Sequence, residues 1–585
     1  MAPIDAQRLA AVRKRYAEEA KKRLKPEGFA DPWVDHAALN ARPSPRENNG
    51  QYRFFVLGAG YGGLQFAIRL IEDGIANADE IRLADAAGGF GGTWYWNRFP
   101  GLHCDVESYV SLPLLEQTGY IPRQKYASEK WDLVDKTLFP TDVERSEWNA
   151  SAQVWTITAT EHRGPGEEPV KLPFRAEYVY LAARALTRPQ IPRIPGLLSF
   201  KGEIFHTARW NYTVSGGSQA DQRLTGLEGK RVAVVGTAAT AIAVVPEVAK
   251  YAGELYVIQR TPATVRPRGQ RVADVKEFQT RIASGKGWQF KRALNLNTFI
   301  TANSAAPGLE NLVNDAWTDM PAFSAVVGTP GHGVTDSRPE TVERLADAYH
   351  ALDLPHMEAV RARVDELVDN PDTAAKPKPW YPSWCKRQTF SDSYLQTFNR
   401  PNVQLVDTDG KGPARATETG LVVAPATGSR SPAARTGVNV IGKQGQSLDE
   451  KWRIKGAATL HGYATNGFPN LFFSGTSQAT VTVSNVFLLS FIAQYIAYMI
   501  KEAERRVELW RHLDGEEAHT AEILRRAPFY SVRNGCTPEK KARRATGATW
   551  SEGSISFLDY IERLRNEGNL RGLDIVSAKD VKARP

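Results

Sequence analysis

Short, continuous apolar runs alternate with amphipathic stretches along this chain of 585 residues. The run Phe54-Phe55-Val56-Leu57 has the pattern of a strand buried on both faces. It leads into Gly58-Ala59-Gly60-Tyr61-Gly62-Gly63 and then an amphipathic segment from Leu64 to Asp73, which predicts strand, tight turn and helix. Val232-Ala233-Val234-Val235 leads into Gly236-Thr237-Ala238-Ala239-Thr240-Ala241 in the same manner. Val154 to Thr158 alternates, so residues 141–182 read as β-hairpins, with Gly164-Pro165-Gly166 as a turn. Residues 263–380 change to helix-like segments rich in Ala, Glu and Asp, with Trp288 and Trp317, and read as an insertion covering substrate. Val481 to Ile500 is the nearest approach to a membrane span, but Ser484, Asn485, Ser490 and Gln494 interrupt it, so a buried helix is predicted. An amphipathic helix, Ile555 to Asn566, closes the pattern.

The two strand–turn–helix units differ in chemistry. In such a unit the pyrophosphate of a dinucleotide lies on N–H groups at the helix N-terminus, and a Cβ in the turn would block its approach. The second strand of the first unit, Ile81-Arg82-Leu83-Ala84-Asp85, ends in an acid, which suits the ribose hydroxyls of FAD or NAD. The second strand of the other unit, Leu255-Tyr256-Val257-Ile258-Gln259-Arg260, ends in a cation, which suits the 2′-phosphate of NADP. Ala238 stands where the second glycine is usual and narrows the approach to phosphate.

The expected fold is therefore α/β, with two Rossmann-like dinucleotide-binding domains (FAD and NADP) and a helical insertion. A helical extension and linker at 1–50 precedes the first part of the FAD domain at 51–210. The NADP domain follows at 211–385, with the insertion at about 263–380, and the FAD domain returns at 386–585.

Hydrophobic content of 42% and charged content of 24% are those of a globular protein. The net charge of +9 can attract anionic cofactors. Arg505, Arg506, Lys541, Arg543 and Arg544 read as solvated faces, and no zinc-finger or RNP-like pattern points to nucleic acid. Cys104, Cys385 and Cys536 are few, odd in number and far apart, which predicts neither a disulfide framework nor a zinc site. With an N-terminus lacking the apolar core of a secretory signal, this points to a reducing, cytoplasmic compartment. There is no nucleophile elbow, metal-ligand cluster or Walker loop. Phe473-Ser474-Gly475-Thr476-Ser477-Gln478 has serines beside a glycine without the elbow's spacing, and fits a return segment of the flavin domain.

Four segments together resemble the Baeyer–Villiger monooxygenases, within the class B flavoprotein monooxygenases. They are the first glycine turn with Asp85; Gly88 to Gly101 running into Cys104-Asp105-Val106-Glu107-Ser108; Phe200 to Trp210, similar to the fingerprint FxGxxxHxxxW; and Cys385-Lys386-Arg387 leading to Phe398-Asn399-Arg400-Pro401. The resemblance covers roughly residues 50–570. It implies an enzyme that uses NADPH, FAD and O2 to insert oxygen beside a ketone carbonyl, giving an ester or lactone. Oxygen activated on reduced flavin must stay anionic to attack the carbonyl, and a fixed cation stabilises that charge. The resemblance assigns this role to Arg387 and its orientation to Asp105. It places FAD on Gly58, Gly60, Tyr61, Gly63, Asp85, Gly92, Thr93, Trp94, Tyr95, Trp96, Asp105, Val106 and Ser111. It places NADP on His103, Cys104, Gly236, Thr237, Ala238, Ala239, Thr240, Ala241, Ile242, Gln259, Arg260 and Lys386. Gly202, His206 and Trp210 belong to the linker fingerprint, which couples nicotinamide binding to domain movement. The long insertion favours a bulky or cyclic ketone.

The chain departs from the family pattern at several points. Asn211 replaces the Pro or Asp that closes the fingerprint, and Leu181-Ala182-Ala183-Arg184 replaces the usual Ala-Thr-Gly. Ser111 stands where a flavin-contacting Tyr is frequent. One strand is expected to be missing before Ala426-Thr427-Gly428, a helical stretch between Ser128 and Glu129-Lys130-Trp131, and further residues after Cys536-Thr537-Pro538. Three readings stay open: an active monooxygenase with relaxed motifs, a FAD-binding protein with impaired NADPH use acting as a cyclase, isomerase or oxidase, or a chain lacking short coding pieces. Oxygenation at nitrogen or sulfur is a further alternative.

Overall fold

The computed structural model describes residues 6–23, 50–119, 131–301, 308–423, 438–525, 549–568 and 574–577, apart from short internal stretches at 165, 183–188, 190–191, 193, 271–273, 321, 328–338, 476–477, 481, 506–507, 512–513 and 551–552. The chain opens on helix α1 (Ala6–Arg23), as the extension predicts. Strand β1 (Gln51–Leu57) is an interior strand of the main sheet, with Phe55 and Val56 fully buried. A parallel strand covered on both faces needs such an unbroken apolar run.

Helix α2 (Tyr61–Glu72) follows β1 directly. Parallel neighbours of β1 are β2 (Ile81–Ala84), itself paired with β3 (Thr137–Leu138), and β6 (Val170–Leu181). Strands β4 (Thr141–Asn149), β5 (Val154–Glu161) and β6 form an antiparallel meander, which bears out the hairpin reading. Two strands from the returning part of the chain join this sheet. Asn439–Ile441 pairs parallel with β4, and Leu471–Phe473 pairs parallel with β6. They bring the chain after the insertion back to the first sheet.

The second unit is smaller. Strand β7 (Arg231–Val235), helix α3 (Ala239–Val248) and strand β8 (Glu254–Gln259) form it, and Val403–Asp407 adds to β8 in parallel. Gly420–Val423, the run before the second Ala-Thr-Gly, pairs antiparallel with Pro413–Thr417. The changed motifs at Ala183-Arg184 and Ala426-Thr427-Gly428, and the proposed gaps near Ser128 and Cys536, lie outside the described residues.

The insertion is helical, with α4 (Trp288–Thr301) and α5 (Pro339–Leu367) as its main pieces. Helix α6 (Asn485–Arg505) begins four residues later than its apolar run, because Ser484 and the residues before it form the turn that enters it. The stretch Asn485–Ala503 is long and apolar enough to cross a membrane by length and composition alone, and 67% of it is buried, in line with the buried helix expected. In its middle, the half-buried Ser490, Gln494 and Tyr498 are spaced one helical turn apart, while Leu488, Ile492 and Ile496 lie in a large core with Phe66 and Ile68 of α2. A correction concerns cysteine. Cys104 is free, but Cys385 is disulfide-bonded.

Candidate active site

The first glycine turn is shaped by backbone contacts that leave no room for side chains. Gly58 has φ +110, and its N–H donates to Ala84 O across the sheet at 2.7 Å. A Cβ on Gly63 would lie 1.9 Å from Gly58 O, and one on Gly92 (φ +55) would lie 2.9 Å from Gly60 Cα. The two glycine segments therefore touch directly. Asp85 clamps the turn: Oδ2 accepts from Ala59 N at 2.7 Å and Oδ1 from Ala87 N at 2.8 Å. Burial pushes its carboxyl above the usual range, against those two hydrogen bonds.

Beside the turn opens a cavity of about 460 Å³. Gly58, Gly60, Tyr61 and Asp85 line it, as do Gly92, Thr93, Trp94, Trp96, Val106 and Ser111. Cys104, expected on the nicotinamide side, lines this same cavity. Gly63 acts one layer back, letting helix meet strand. Tyr95 also stands apart from the lining: its ring packs edge-on against Trp96, with the Arg98 guanidinium 4.5 Å from its centroid. In a single helical turn, Thr93–Trp96, the four side chains cannot all face one side.

Arg387 reaches the cavity from the far end of the insertion. Its Nη1 donates to Asp105 Oδ2 at 2.5 Å and its Nη2 to Asp105 Oδ1 at 2.6 Å. This fork-on-carboxylate geometry fixes the plane of the guanidinium. Burial works against the charge, but the hydrogen bonds and charge of Asp105 outweigh it, and the pKa of Arg387 rises. Half of the Arg387 side chain remains accessible, while Asp105 is mostly covered. Beneath them, Trp317 Nε1 donates to Asp105 O at 2.6 Å and its ring centroid lies 5.4 Å from the guanidinium carbon. Two residues on, Glu107 accepts both 2.6 Å hydrogen bonds of a second fork, from Arg292 of α4.

The second turn has the same backbone form. Gly236 has φ +111 and donates to Ile258 O at 3.0 Å. Thr237 is buried and its hydroxyl donates to Thr261 O at 2.8 Å. Ala238 and Ala239 are exposed at the start of α3, Thr240 is half-buried, and Ala241 and Ile242 face the second core. Arg260 is exposed at the end of β8. Gln259 is turned inward, its amide donating to Lys376 O at 2.8 Å. Lys386 Nζ lies 3.5 Å from Thr261 O, so it stands over the loop that follows β8. His103 is exposed and contacts Gly101 O at 2.6 Å. Gly101 packs on α3, where a Cβ would lie 2.4 Å from Ala243 O. That contact brings the second unit against the segment leading to Asp105.

In the linker, Gly202 is exposed, while His206 Nδ1 accepts from Ala208 N at 3.0 Å and caps the next turn. Burial, then the nearby Arg209 charge, holds His206 below the usual imidazole range. Trp210 Nε1 donates to Ser215 Oγ at 3.0 Å. Between them, Arg209 lies 3.5 Å over the Trp96 ring and lines the cavity. The fingerprint thus touches the flavin-side aromatics through a residue that sequence reasoning passed over.

A polycyclic ketone monooxygenase of Thermothelomyces thermophilus is 48% identical to this chain, with 96% of each covered. A solved structure of the polycyclic ketone monooxygenase from Thermothelomyces thermophila matches with TM-score 0.90, over 98% of this chain and 99% of that one. The chain belongs to the Baeyer–Villiger monooxygenases. As a member of that family it is an FAD- and NADPH-dependent monooxygenase with the expected α/β fold. The FAD-binding monooxygenase prhK of Penicillium brasilianum is 39% identical, over 94% of this chain and 92% of its own. An oxidised steroid monooxygenase bound to NADP shares the fold at TM-score 0.68 and 24% identity, covering 90% of this chain and 100% of that one. No family model matches the chain. The alignment to the first relative runs over 631 positions, more than the 585 residues here, so part of that relative has no counterpart in this Baeyer–Villiger monooxygenase.

Several residues around the site had no role assigned from sequence. Trp317 was noted only as part of the insertion, and nothing local ties it to Asp105. Arg209 and Glu107 were inside the quoted motifs, where their charge was a usable signal. Asp142 and His162, which line the cavity 3.1 Å apart, carried no pattern.

Proposed function

We propose that this chain inserts one oxygen atom of O2 beside the carbonyl of a bulky, cyclic ketone, forming an ester or lactone at the expense of NADPH. One observation carries the reading: the Arg387–Asp105 fork opens on the cavity that the first glycine turn borders. The site fits FAD, because Gly58 holds φ +110 and a Cβ on Gly92 would lie 2.9 Å from Gly60 Cα, so the two glycine segments meet as a bare backbone cradle beside the cavity. Bound flavin, reduced by NADPH, supplies the activated oxygen. Gly60, Tyr61, Asp85 and Thr93 would hold it, with Trp94, Trp96, Val106 and Ser111 also lining the cavity. Arg387 stays charged throughout and stabilises the negative charge on the attacking oxygen and on the adduct. Asp105 holds the guanidinium in plane.

NADPH is assigned to Gly236–Ile242, with Arg260 and Lys386 as partners for its 2′-phosphate and His206 and Trp210 in the linker that responds to it. The domain division into 51–210, 211–385 and 386–585, and a cytoplasmic setting, belong to the same reading. The name of the first relative supports a polycyclic substrate. The test is anaerobic addition of NADPH to purified protein, followed by a panel of cyclic and steroid ketones in air. Bleaching of the flavin followed by ester or lactone formation is expected. Flavin that NADPH does not reduce would favour the redox-neutral alternative.

A further inference from the structure

The segment that carries Arg387 is moored to the insertion helix by residues that do not line the cavity. Ser383 is buried, and all three of its hydrogen-bonding groups are taken by two residues of α5, one helical turn apart. Its N–H donates to Asp353 Oδ2 at 3.0 Å and its hydroxyl to Asp353 Oδ1. Its carbonyl accepts from the Tyr349 hydroxyl. Two turns further along α5, Arg361 donates to Pro379 O at 3.2 Å and lies over the Trp380 ring. Asp353 is 1% exposed, and a carboxylate so deep is costly unless its oxygens are satisfied. Here both oxygens are spent on one serine.

The next residue transmits this anchoring. Trp384 adopts φ +67, a left-handed conformation unfavourable for a bulky side chain, which must be enforced by its surroundings. Its ring packs 4.2 Å from Phe323 and 6.2 Å from Trp317. Trp317 in turn holds the Asp105 carbonyl and underlies Arg387. On the far side of Arg387, Thr389-Phe390 is fixed in a two-residue pairing with Val265-Arg266. Arg387 therefore sits on a short span tied down at both ends.

We infer that Asp353, with Tyr349, is a positioning residue for the Arg387–Asp105 pair, acting through Ser383 and Trp384 without touching substrate or cofactor. The inference rests on the role proposed above for Arg387. Loosening the mooring should let the guanidinium drift from the activated oxygen, which is then lost as hydrogen peroxide (NADPH + H⁺ + O2 → NADP⁺ + H2O2).

The test compares Asp353→Asn, Ser383→Ala and Arg387→Ala in the full-length flavin-loaded enzyme, with progesterone as the probe ketone. Flavin content, anaerobic flavin reduction by NADPH, product per NADPH consumed, and peroxide release are measured. Asp353→Asn should keep its flavin and reduce it within twofold of the wild-type rate. Product per NADPH should fall at least fivefold, peroxide should account for the difference, and the KM for ketone should hold. A merely structural residue would lower flavin content and leave that ratio unchanged. Should Asp353→Asn lose its flavin, Ser383→Ala decides by the same ratio, since it removes only the hydroxyl contact. Full coupling in a flavin-bound variant overturns the mooring. Full coupling in Arg387→Ala overturns the reading of the site itself.

Discussion

Replacing Asp105 by Asn isolates what the carboxylate does for Arg387. The two hydrogen bonds at 2.5 and 2.6 Å need two acceptor oxygens. Asn supplies one, and its amide group turns a donor toward a guanidinium that has only donors. One hydrogen bond to a charged group is lost, worth about 1.5–3 kcal/mol, together with the ion-pair attraction. Half of the Arg387 side chain is accessible to solvent, so screening argues for the lower part of that range. A loss of about 2 kcal/mol at the oxygen-transfer step is a roughly 30-fold slower product formation. Flavin reduction should be unchanged, because Asp105 orients a cation needed only after oxygen has reacted. Stopped-flow reduction and product quantification by gas chromatography separate the two steps. A variant that holds its flavin and forms product within threefold of the wild-type rate would refute the assignment.

Gly63→Ala should purify without flavin, read as the ratio of 450 to 280 nm absorbance, because its Cβ would lie 1.9 Å from backbone that cannot yield. Arg260→Ala should raise the KM for NADPH about tenfold or more while leaving NADH unaffected, as loss of a charge-assisted contact to the 2′-phosphate predicts; an equal effect on both coenzymes would remove Arg260 from that role. Asp353 gives a pH signature: burial pushes its carboxyl up to about 6, although the Ser383 hydrogen bonds and Arg361 oppose this, with Tyr16 of α1 also facing it. Because the folded state holds the proton more tightly, the stability contribution is fully present below about pH 4 and is lost as pH rises through 6, so Asp353→Asn should flatten the dependence of Tm on pH across that window.

The parts of the site legible in sequence are those where chemistry is enforced locally. Gly58 and Gly63 are readable because strand, turn and helix meet within a few residues. Asp85 is readable because the length of one βαβ unit sets its distance from the turn. The Arg387–Asp105 pair is different: the two residues are 282 positions apart, and only the family resemblance joined them. Trp317, Arg292 and Asp353 had no such help. Each is an ordinary residue on or near a helix, and its role exists only because the insertion folds back on the first unit. The return to the first domain near Phe473 was legible, but the pairing of Leu471–Phe473 with β6 and the disulfide at Cys385 were not.

The insertion, read from the sequence as a cover for substrate, also supplies the contacts behind Arg387. Arg292 holds Glu107, Trp317 holds the Asp105 carbonyl, and Tyr349 and Asp353 hold the segment before Arg387. These four holding groups all come from residues 292–353, between the two members of the pair in sequence, and none from either glycine turn. A cation that stabilises a developing negative charge is effective only if it need not move when the charge appears. Arg387 has one face in the cavity and cannot be fixed from that side without blocking the ketone. Its restraint must come from behind, through buried polar groups and packed rings that are stiff because they are close-packed. On the role proposed for Arg387, a loop alone would leave such a side chain free, and the helical body behind it is what would keep the cation still. Substitutions in it that never reach the cavity should therefore degrade coupling before they affect ketone binding.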